Sequence, residues 1–178
     1  MSIQPWKVRE STYLRKRVRL DTCELPNGRL FHPMVLEFHT WANVLALTPD
    51  QQAVLIRQYR HGAREVIWEF PGGIVEDGED PLDGIKRELL EETGYASGKV
   101  IEIGRLYPNP ANQSNRMHCF VALSAEKVQE STPDEAEDLE VHLVPLDELF
   151  RMVERGEFSH ALMIATLFQA MAYLKRIS

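Results

Sequence analysis

A cluster of acidic residues at helical spacing, set behind a glycine-rich loop, constrains this chain more than any other feature. From Gly73 to Tyr95 the sequence has a Gly, five residues, a Glu, seven residues, and then Arg-Glu-Leu-x-Glu-Glu-x-Gly. Residues 82–93 are mostly good helix formers, with Pro81 before them and Gly94 after them. The segment, called the box below, therefore predicts a loop followed by one helix.

The predicted helix has an apolar arc and, next to it, an acidic arc. At about 100° per residue, four side chains share the apolar arc: Leu82, Ile85, Leu89 and Leu90. Three carboxylates share the other arc: Glu88, Glu91 and Glu92. They repel one another unless a cation compensates, and a hard divalent ion, Mg²⁺ or Mn²⁺ as its substitute, is the natural partner. Arg87 lies four residues before Glu91 and can pair with it. The alternative is a solvated acidic face.

Length and composition indicate a single globular domain that does not bind nucleic acid. The chain has 178 residues, enough for one substantial core but not for a second full domain. The net charge is -7 and the pI is near 5.4, whereas a nucleic-acid binder should be basic. We find no signal peptide or membrane span, and we expect Cys23 and Cys119 to be free buried thiols. These features favour a cytoplasmic protein without a membrane partner.

Strand patterns surround the box. Residues 13–38 predict a hairpin arm, with strands at 18–20, 30–31 and 35–36. The remaining predicted strands are 41–48, 53–59, 66–70, 99–106, 118–123 and 141–144. Two helices should follow, the last over 160–176, with Ser159 as its cap and Leu162, Ala165, Phe168 and Met171 buried. We expect an α/β fold, with a mixed sheet covered on both sides, and an N-terminal arm at 1–40 beside a domain at 41–178.

The box resembles the signature of the Nudix hydrolases, although the closing position, usually aliphatic, is Tyr95 here. The resemblance implies an α/β/α sandwich with a mixed sheet. It also implies metal ligation by the side chains of Glu88 and Glu92, with Glu91 as a further ligand, and by the carbonyl of Gly72. Glu79 would support the helix and its Arg87.

Two further motifs resemble the ADP-ribose and nucleoside diphosphate sugar pyrophosphatase branch of that family. They are Leu-Ile-Arg-Gln-Tyr-Arg at 55–60 and Trp-Glu-Phe-Pro-Gly-Gly at 68–73, and Pro110 stands sixteen residues after Gly94 as it does in the branch. The resemblance implies a nucleotide sugar substrate and a homodimer with exchanged N-terminal strands. A short hairpin arm needs such a packing partner.

The segment after Pro110 departs from the ADP-ribose pattern. Asn115 stands where that pattern has an acidic residue, and Asn112 and Arg116 flank it. Amides and a guanidinium suit sugar hydroxyls and phosphate oxygens, so we expect these three residues to bind a broader range of nucleoside diphosphate sugars. The alternative is a loop that is polar because it is exposed.

The resemblance also suggests a catalytic base in the acidic loop at 131–138. Glu135 is the first choice, and Glu137 is a second candidate or a further metal ligand. Arg60 is expected to contact the diphosphate, and Arg57 is a weaker candidate on the opposite strand face. Glu69 could bind ribose hydroxyls or pair with an arginine in a dimer interface.

Other residues allow more than one interpretation. Trp6, Tyr13 and Trp41 could stack on a base but more often belong to a core or interface. The basic cluster could steer anions or form a solvated strand edge: Arg15, Lys16, Arg17 and Arg19. We expect His118 and His142 to be packed strand residues. Two other functions remain open, a hydrolase of damaged nucleoside triphosphates and a non-catalytic nucleotide-binding module.

Overall fold

A computed structural model describes residues 7–132 and 138–177, and its chain separates into two units. The first unit comprises Met1–His39 and Tyr107–Arg116, and the second comprises Thr40–Leu106 and Met117–Ser178. The segment 107–116 thus groups with the N-terminal residues, although it follows a strand of the second unit in the chain. No local pattern in the sequence marks this grouping.

The first unit is a four-stranded antiparallel sheet. Its strands are β1 (Lys7–Arg15), β2 (Val18–Glu24), β3 (Leu30–Phe31) and β4 (Met34–Leu36). β2 pairs with the other three strands, and a turn at 25–29 with Gly28 at a φ of 79° leads from β2 to β3. The predicted hairpin is present, but β1 was not predicted. Its sequence mixes charged and polar residues with few apolar ones, so pairing with β2 rather than hydrophobic alternation defines it.

The second unit is built around a seven-stranded mixed sheet. Its strands and helices are β5 (Trp41–Leu47), β6 (Gln52–Arg60), β7 (Glu65–Glu69), β8 (Gly72–Ile74), α1 (Pro81–Thr93), β9 (Tyr95–Ala96), β10 (Lys99–Leu106), β11 (Met117–Leu123), β12 (Glu126–Lys127), β13 (Leu139–Pro145), α2 (Leu146–Glu154) and α3 (Ala161–Ile177). The main strand order is β10-β11-β5-β6-β13, with β7 on β6 and β8 on β5. Only the β11–β5 pair is parallel among the pairs described. β9 and β12 form a separate small ladder.

Both faces of this sheet are buried. Along β5, Val44 and Ala46 belong to one core cluster with Ile85 and Leu89 of α1. The alternate residues, Leu45 and Leu47, belong to a second cluster. That second cluster also contains residues of α2 and α3: Leu149, Met152, Met163, Leu167 and Ala170. Since successive side chains point to opposite faces, an unbroken apolar strand fits a sheet covered on both sides. The predicted α/β/α sandwich is confirmed.

The box forms the predicted secondary structure. α1 occupies Pro81–Thr93, and Ile85 and Leu89 on its predicted apolar arc are fully buried. Tyr95, at the closing position, packs in the same cluster with 9% of its surface exposed. The aromatic ring is therefore a packing variation of the aliphatic residue expected there.

The C-terminal helix requires two corrections. Phe168, expected to be buried, is 75% exposed, and the buried residues of α3 are instead Met163, Thr166, Leu167 and Ala170. α3 is apolar around much of its circumference, so periodicity alone could not select the buried face. The helix begins one residue later than predicted, and its cap is His160 rather than Ser159, since the His160 ring accepts the Leu162 N–H. Among the described residues, neither α3 nor another helix has the length and hydropathy to cross a membrane.

Candidate functional site

The second unit contains a cavity of about 470 Å³, a size typical of small-molecule sites. The box and the glycine just before it contribute two glycines and four charged residues to its lining: Gly72, Gly73, Arg87, Glu88, Glu91 and Glu92. Apolar residues form a second part of the lining: Trp41, Ala42, Ile74, Met117, Leu162 and Met163. Four polar side chains complete it: Asn43, Gln58, Arg60 and His160. The lining thus combines an acidic part with apolar surface and a few polar groups.

Specific interactions fix both ends of α1. The acidic arc of this helix lines the cavity. Asp80 caps the N-terminus, where its carboxylate accepts the Leu82 N–H at 2.8 Å, and Pro81 follows at the first helical position. Gly94 ends the helix with a φ of 74°, and a Cβ there would lie 2.1 Å from the Gln129 carbonyl oxygen. Both the backbone conformation and the space therefore require glycine at this end.

Arg87 holds three carboxylates of the box. Its guanidinium donates to Glu79 at 3.1 and 3.3 Å, to Glu88 at 3.0 Å and to Glu91 at 3.0 Å. The predicted pair with Glu91 is present, and so is the support of Arg87 by Glu79. The hydrogen bonds from Arg87 are the main reason that the pKa of Glu79 lies below its ordinary value, and the Glu76 N–H adds to this effect. One cation thus sets the positions of carboxylates that would otherwise repel one another.

The glycines before α1 let its carboxylates approach the loop backbone. The Gly72 N–H donates to Glu92 Oε2 at 2.8 Å, and Glu92 is only 1% exposed. A Cβ at Gly73 would lie 2.7 Å from Cδ and from Oε1 of Glu88. A Cβ at Gly72 would lie 2.3 Å from the carbonyl oxygen of Ala42. Gly72 is therefore required by close packing against the sheet backbone, whereas a side chain at Gly73 would displace the Glu88 carboxylate.

The chemistry of the donors in this lining fits a hard divalent cation. Glu88, Glu91 and Glu92 supply carboxylate oxygens, and Gly72 supplies backbone next to them. Within residues 7–132 and 138–177, no three His, Cys, Asp or Glu side chains already converge at metal-binding distance. Arg87 holds Glu88 and Glu91, and the Gly72 N–H holds Glu92. The residues therefore offer the required ligand type while protein donors engage the carboxylates.

Glu69 is a buried carboxylate on which three residues of the lining converge. It has no exposed surface, and Arg60 donates to it at 3.0 Å from Nε and at 2.5 Å from Nη2. Gln58 Nε2 donates to it at 3.2 Å, and His160 Nε2 lies 3.7 Å from Oε1. Sequence analysis left Glu69 between ribose binding and pairing with an arginine in a dimer interface. The structure places it in an ion pair with Arg60 of the same chain.

The two candidate phosphate-binding arginines lie in different surroundings. Arg60 lines the cavity. Arg57 lies 5.1 Å from the centre of the Trp68 ring and forms an ion pair with Glu140 at 3.5 Å, and it is not part of the lining. The alternation of side chains along β6 explains the difference. Arg60 is therefore the better placed of the two to meet a ligand.

The amides predicted to bind sugar lie in the first unit. Asn115 is buried and donates to the His39 carbonyl at 3.0 Å, while the Asn112 carbonyl accepts the Leu36 N–H. Among the described residues, the side-chain oxygens of Asn112, Gln113 and Asn115 are buried without a hydrogen-bond partner. The Arg116 guanidinium stacks on Tyr107, 3.3 Å from the ring centre. Three polar oxygens in this segment thus accept no hydrogen bond from the described residues, and the roles of Asn112, Asn115 and Arg116 remain predictions.

The remaining predicted residues divide into three groups. Glu135, Glu137 and Trp6 lie outside the described residues. Trp41 lines the cavity, whereas Tyr13 is 60% exposed in β1. In the basic cluster, Arg19 pairs with Asp21 and Glu37.

Both strand histidines contact neighbouring side chains. His118 is buried and lies 2.7 Å from Glu102, while the His142 ring meets Trp68 edge-on at 4.9 Å. These contacts match the expectation that both histidines are packed strand residues, although 39% of the His142 side chain is exposed.

Sequence reasoning missed three polar residues of the lining. Asn43 accepts a hydrogen bond from Thr166 at 2.6 Å, and its amide faces the sulfurs of Met117 and Met163. Gln58 and His160 were missed because they matter through their contacts with Glu69, and those contacts form only in the folded chain. His160 had one local signal, since it stands at the predicted start of the last helix, next to the expected cap Ser159.

Comparisons with known proteins agree with this geometry. The model of the NUDIX domain matches residues 37–167. The chain is 32% identical to an ADP-ribose pyrophosphatase of Bacillus subtilis over 139 residues, 78% of this chain and 75% of that protein. It is 33% identical to a GDP-mannose pyrophosphatase of Citrobacter koseri over 125 residues, 65% of each chain. The crystal structure of an ADP compounds hydrolase superposes with a TM-score of 0.86 at 26% identity, covering 100% of this chain and 98% of the other.

Proposed function

The chain belongs to the NUDIX domain family, and from this premise we propose that it hydrolyses the diphosphate bond of nucleoside diphosphate sugars. The products are a nucleoside monophosphate and a sugar phosphate. One observation carries the proposal: Glu88 and Glu91, both paired with Arg87, line the same cavity as Arg60. The pyrophosphatase relatives and the ADP compounds hydrolase support this substrate class.

The reaction requires water to attack one phosphorus atom while the bridging P–O bond breaks. The attacking water loses a proton, and the bridging oxygen leaves with the second phosphate. Nudix hydrolases generally need a divalent metal, which we propose to be Mg²⁺ with Mn²⁺ as a substitute. When bound, such an ion lowers the pKa of the attacking water and stabilises negative charge on the phosphate.

The residues of the chain take separate roles in this proposal. Glu88, Glu91 and Glu92 would hold the ion with the Gly72 carbonyl, and Arg87 orients two of these carboxylates. Arg60 supplies positive charge to the diphosphate, and Glu69 fixes the direction of its guanidinium. A base in the 131–138 loop would accept the proton of water, with Glu135 preferred to Glu137. The amides of 112–115 and Arg116 would contact the sugar or nucleoside.

A substrate panel with product identification tests the proposal. The protein is incubated with ADP-ribose, GDP-mannose and UDP-glucose, with Mg²⁺ and with Mn²⁺, and the products are separated by chromatography. We expect a nucleoside monophosphate and a sugar phosphate from at least one of the three. Turnover of nucleoside triphosphates alone would favour the damaged-nucleotide hydrolase instead. Binding without turnover would favour the non-catalytic module.

A further inference from the structure

His160 has a ring nitrogen whose hydrogen-bonding role is fixed by the backbone. The Leu162 N–H donates to His160 Nδ1 at 3.2 Å. A backbone N–H can only donate, so Nδ1 accepts and the neutral ring carries its proton on Nε2. The neighbouring carboxylate of Glu69 favours the same tautomer, because its Oε1 lies on the Nε2 side at 3.7 Å.

The Nε2–H group is a donor without an acceptor among the described residues. The 3.7 Å to Glu69 Oε1 exceeds hydrogen-bond distance, and Glu69 already accepts from Arg60 and Gln58. The His160 side chain keeps 28% of its surface exposed and lines the cavity. A fixed donor on the wall of a ligand-sized cavity is suited to an oxygen of the ligand.

The Glu69 carboxylate brings the His160 donor together with two other polar side chains, Gln58 and Arg60. Gln58, Arg60 and His160 come from two separate elements, the strand β6 and the N-terminus of α3, and all three line the cavity. The Glu69 carboxylate behind them is fully buried, so it faces these side chains rather than a ligand. Gln58 and Arg60 donate hydrogen bonds to this carboxylate, and His160 Nε2 lies 3.7 Å from its Oε1.

We propose that His160 is a substrate-contacting residue whose Nε2–H donates to an oxygen of the bound nucleotide sugar. Glu69 is the positioning residue that keeps Arg60 and Gln58 next to it. The inference rests on the proposed function for the class of ligand. The simpler role for His160 is that of a helix cap alone, and the two roles can be separated by substitution.

Three variants of His160 separate its role as a helix cap from its proposed role as a hydrogen-bond donor to the substrate. His160→Ser keeps a side-chain oxygen that can cap α3 but removes the donor. His160→Gln loses the ring acceptor but places an amide N–H near the former Nε2. His160→Ala loses both groups. A role as cap alone predicts that Ser resembles the parent protein, whereas substrate contact predicts that Gln does.

The measurement is the dissociation constant of an α,β-methylene analogue of ADP-ribose, which binds without being hydrolysed, determined by calorimetry with Mg²⁺. We expect roughly fivefold weaker binding for His160→Ser and His160→Ala, the usual effect of losing one uncharged hydrogen bond. His160→Gln should restore most of the affinity. Melting temperatures should show the opposite order, with Ser above Gln.

The outcomes distinguish the inference from the proposed function. Unchanged affinity in His160→Ser, with the parent protein binding the analogue, would overturn the contact by His160. Failure of the parent protein to bind the α,β-methylene analogues of all three nucleotide sugars in the panel would overturn the substrate class and the inference with it. Repeating the titration with ADP identifies the oxygen. An equal loss for ADP places the oxygen in the ADP portion of the ligand, and a loss confined to the analogue indicates a hydroxyl of the second ribose.

Discussion

Glu92 combines features that rarely occur together in one residue. It is a carboxylate with 1% of its surface exposed, and its Oε2 accepts a backbone N–H from Gly72. Burying a charge in this way is costly unless it is compensated. Because Glu92 also lines the cavity beside Glu88 and Glu91, a bound cation would provide that compensation. The proposed metal role therefore depends on the charge of this side chain more than on its size.

Replacing Glu92 by Gln should abolish most of the activity while the fold remains. The amide preserves shape but not the negative charge that a metal ligand requires. We expect turnover to fall by more than about 100-fold, since partners that only orient a metal ligand already cost about 10- to 100-fold. Steady-state hydrolysis of the best substrate measures the effect, with circular dichroism to check folding. Glu154→Gln, an exposed position on α2, is the control. An unaltered rate in Glu92→Gln would remove the metal role.

Glu79 gives the box a pH-dependent contribution to stability. Its pKa is lowered in the folded protein, mainly by Arg87, so its contribution is fully present above the unfolded pKa of about 4.3 and is lost as the pH falls through the folded value. We expect Glu79→Gln to lower the melting temperature at pH 7 and to differ less from the parent as the pH approaches 3. In an Arg87→Met background the same substitution should have a smaller effect. A difference that stays constant across this pH range would contradict the assignment.

At the scale of elements, the sequence predicted what depends on local patterns. α1 has good helix formers, a proline and a stop glycine, so its limits were predicted to within one residue. β5 and β6 each contain a continuous apolar run, at 44–47 and 53–56, and were predicted almost completely. β1 and β8 could not be predicted, since β1 is largely polar and β8 contains two glycines. These strands exist because a partner strand pairs with them.

The candidate site likewise contains residues that local sequence patterns predict and residues that they do not. Arg87 and the glutamates of the box follow from spacing along one helix, and the Arg87–Glu91 pair is an i, i+4 contact. The group around Glu69 joins β6, β7 and the start of α3, so no short window of sequence contains it. Tertiary structure is needed to find His160.

Gly73 lies against Glu88 of α1, and this contact leads to a prediction for Gly73→Ala. The backbone there accepts alanine, but its Cβ would lie 2.7 Å from Cδ of Glu88 and must displace that carboxylate. We expect kcat/KM to fall on the order of 100-fold, the cost of misplacing a catalytic group by about 1 Å. Gly98→Ala, where a Cβ meets nothing within 4 Å, is the matched control. Full activity in Gly73→Ala would show that the position of Glu88 is unimportant.

At the scale of the whole molecule, the charge of the protein opposes that of its proposed substrate. The chain has a net charge of -7, and nucleotide sugars are anions. The cavity moderates this conflict locally, because Arg60 and Arg87 line it together with the three glutamates. A divalent ion bound to those glutamates would reverse the local sign. The overall acidity is therefore compatible with an anionic ligand.

The first unit has an apolar surface that leads to a prediction of oligomeric state. Seven large apolar side chains among its described residues are at least 40% exposed: Tyr13, Leu14, Leu30, Phe31, Met34, Phe38 and Tyr107. Exposed apolar residues concentrated in a small sheet are typical of an interaction surface. We therefore expect the homodimer proposed from the N-terminal strands, with a mass twice the 20.5 kDa of one chain.

Light scattering coupled to size-exclusion chromatography measures this mass directly, and substitutions locate the interface. Leu14→Lys combined with Leu30→Lys places two charges on the apolar surface of the first unit, where burial against a second copy would desolvate them. We expect this variant to elute as a monomer. Val128→Lys, at a position 60% exposed in the second unit, should leave the dimer intact because it lies outside that surface. A parent protein that is monomeric at micromolar concentration would refute the dimer, and a dimer that persists in the double variant would place its interface elsewhere.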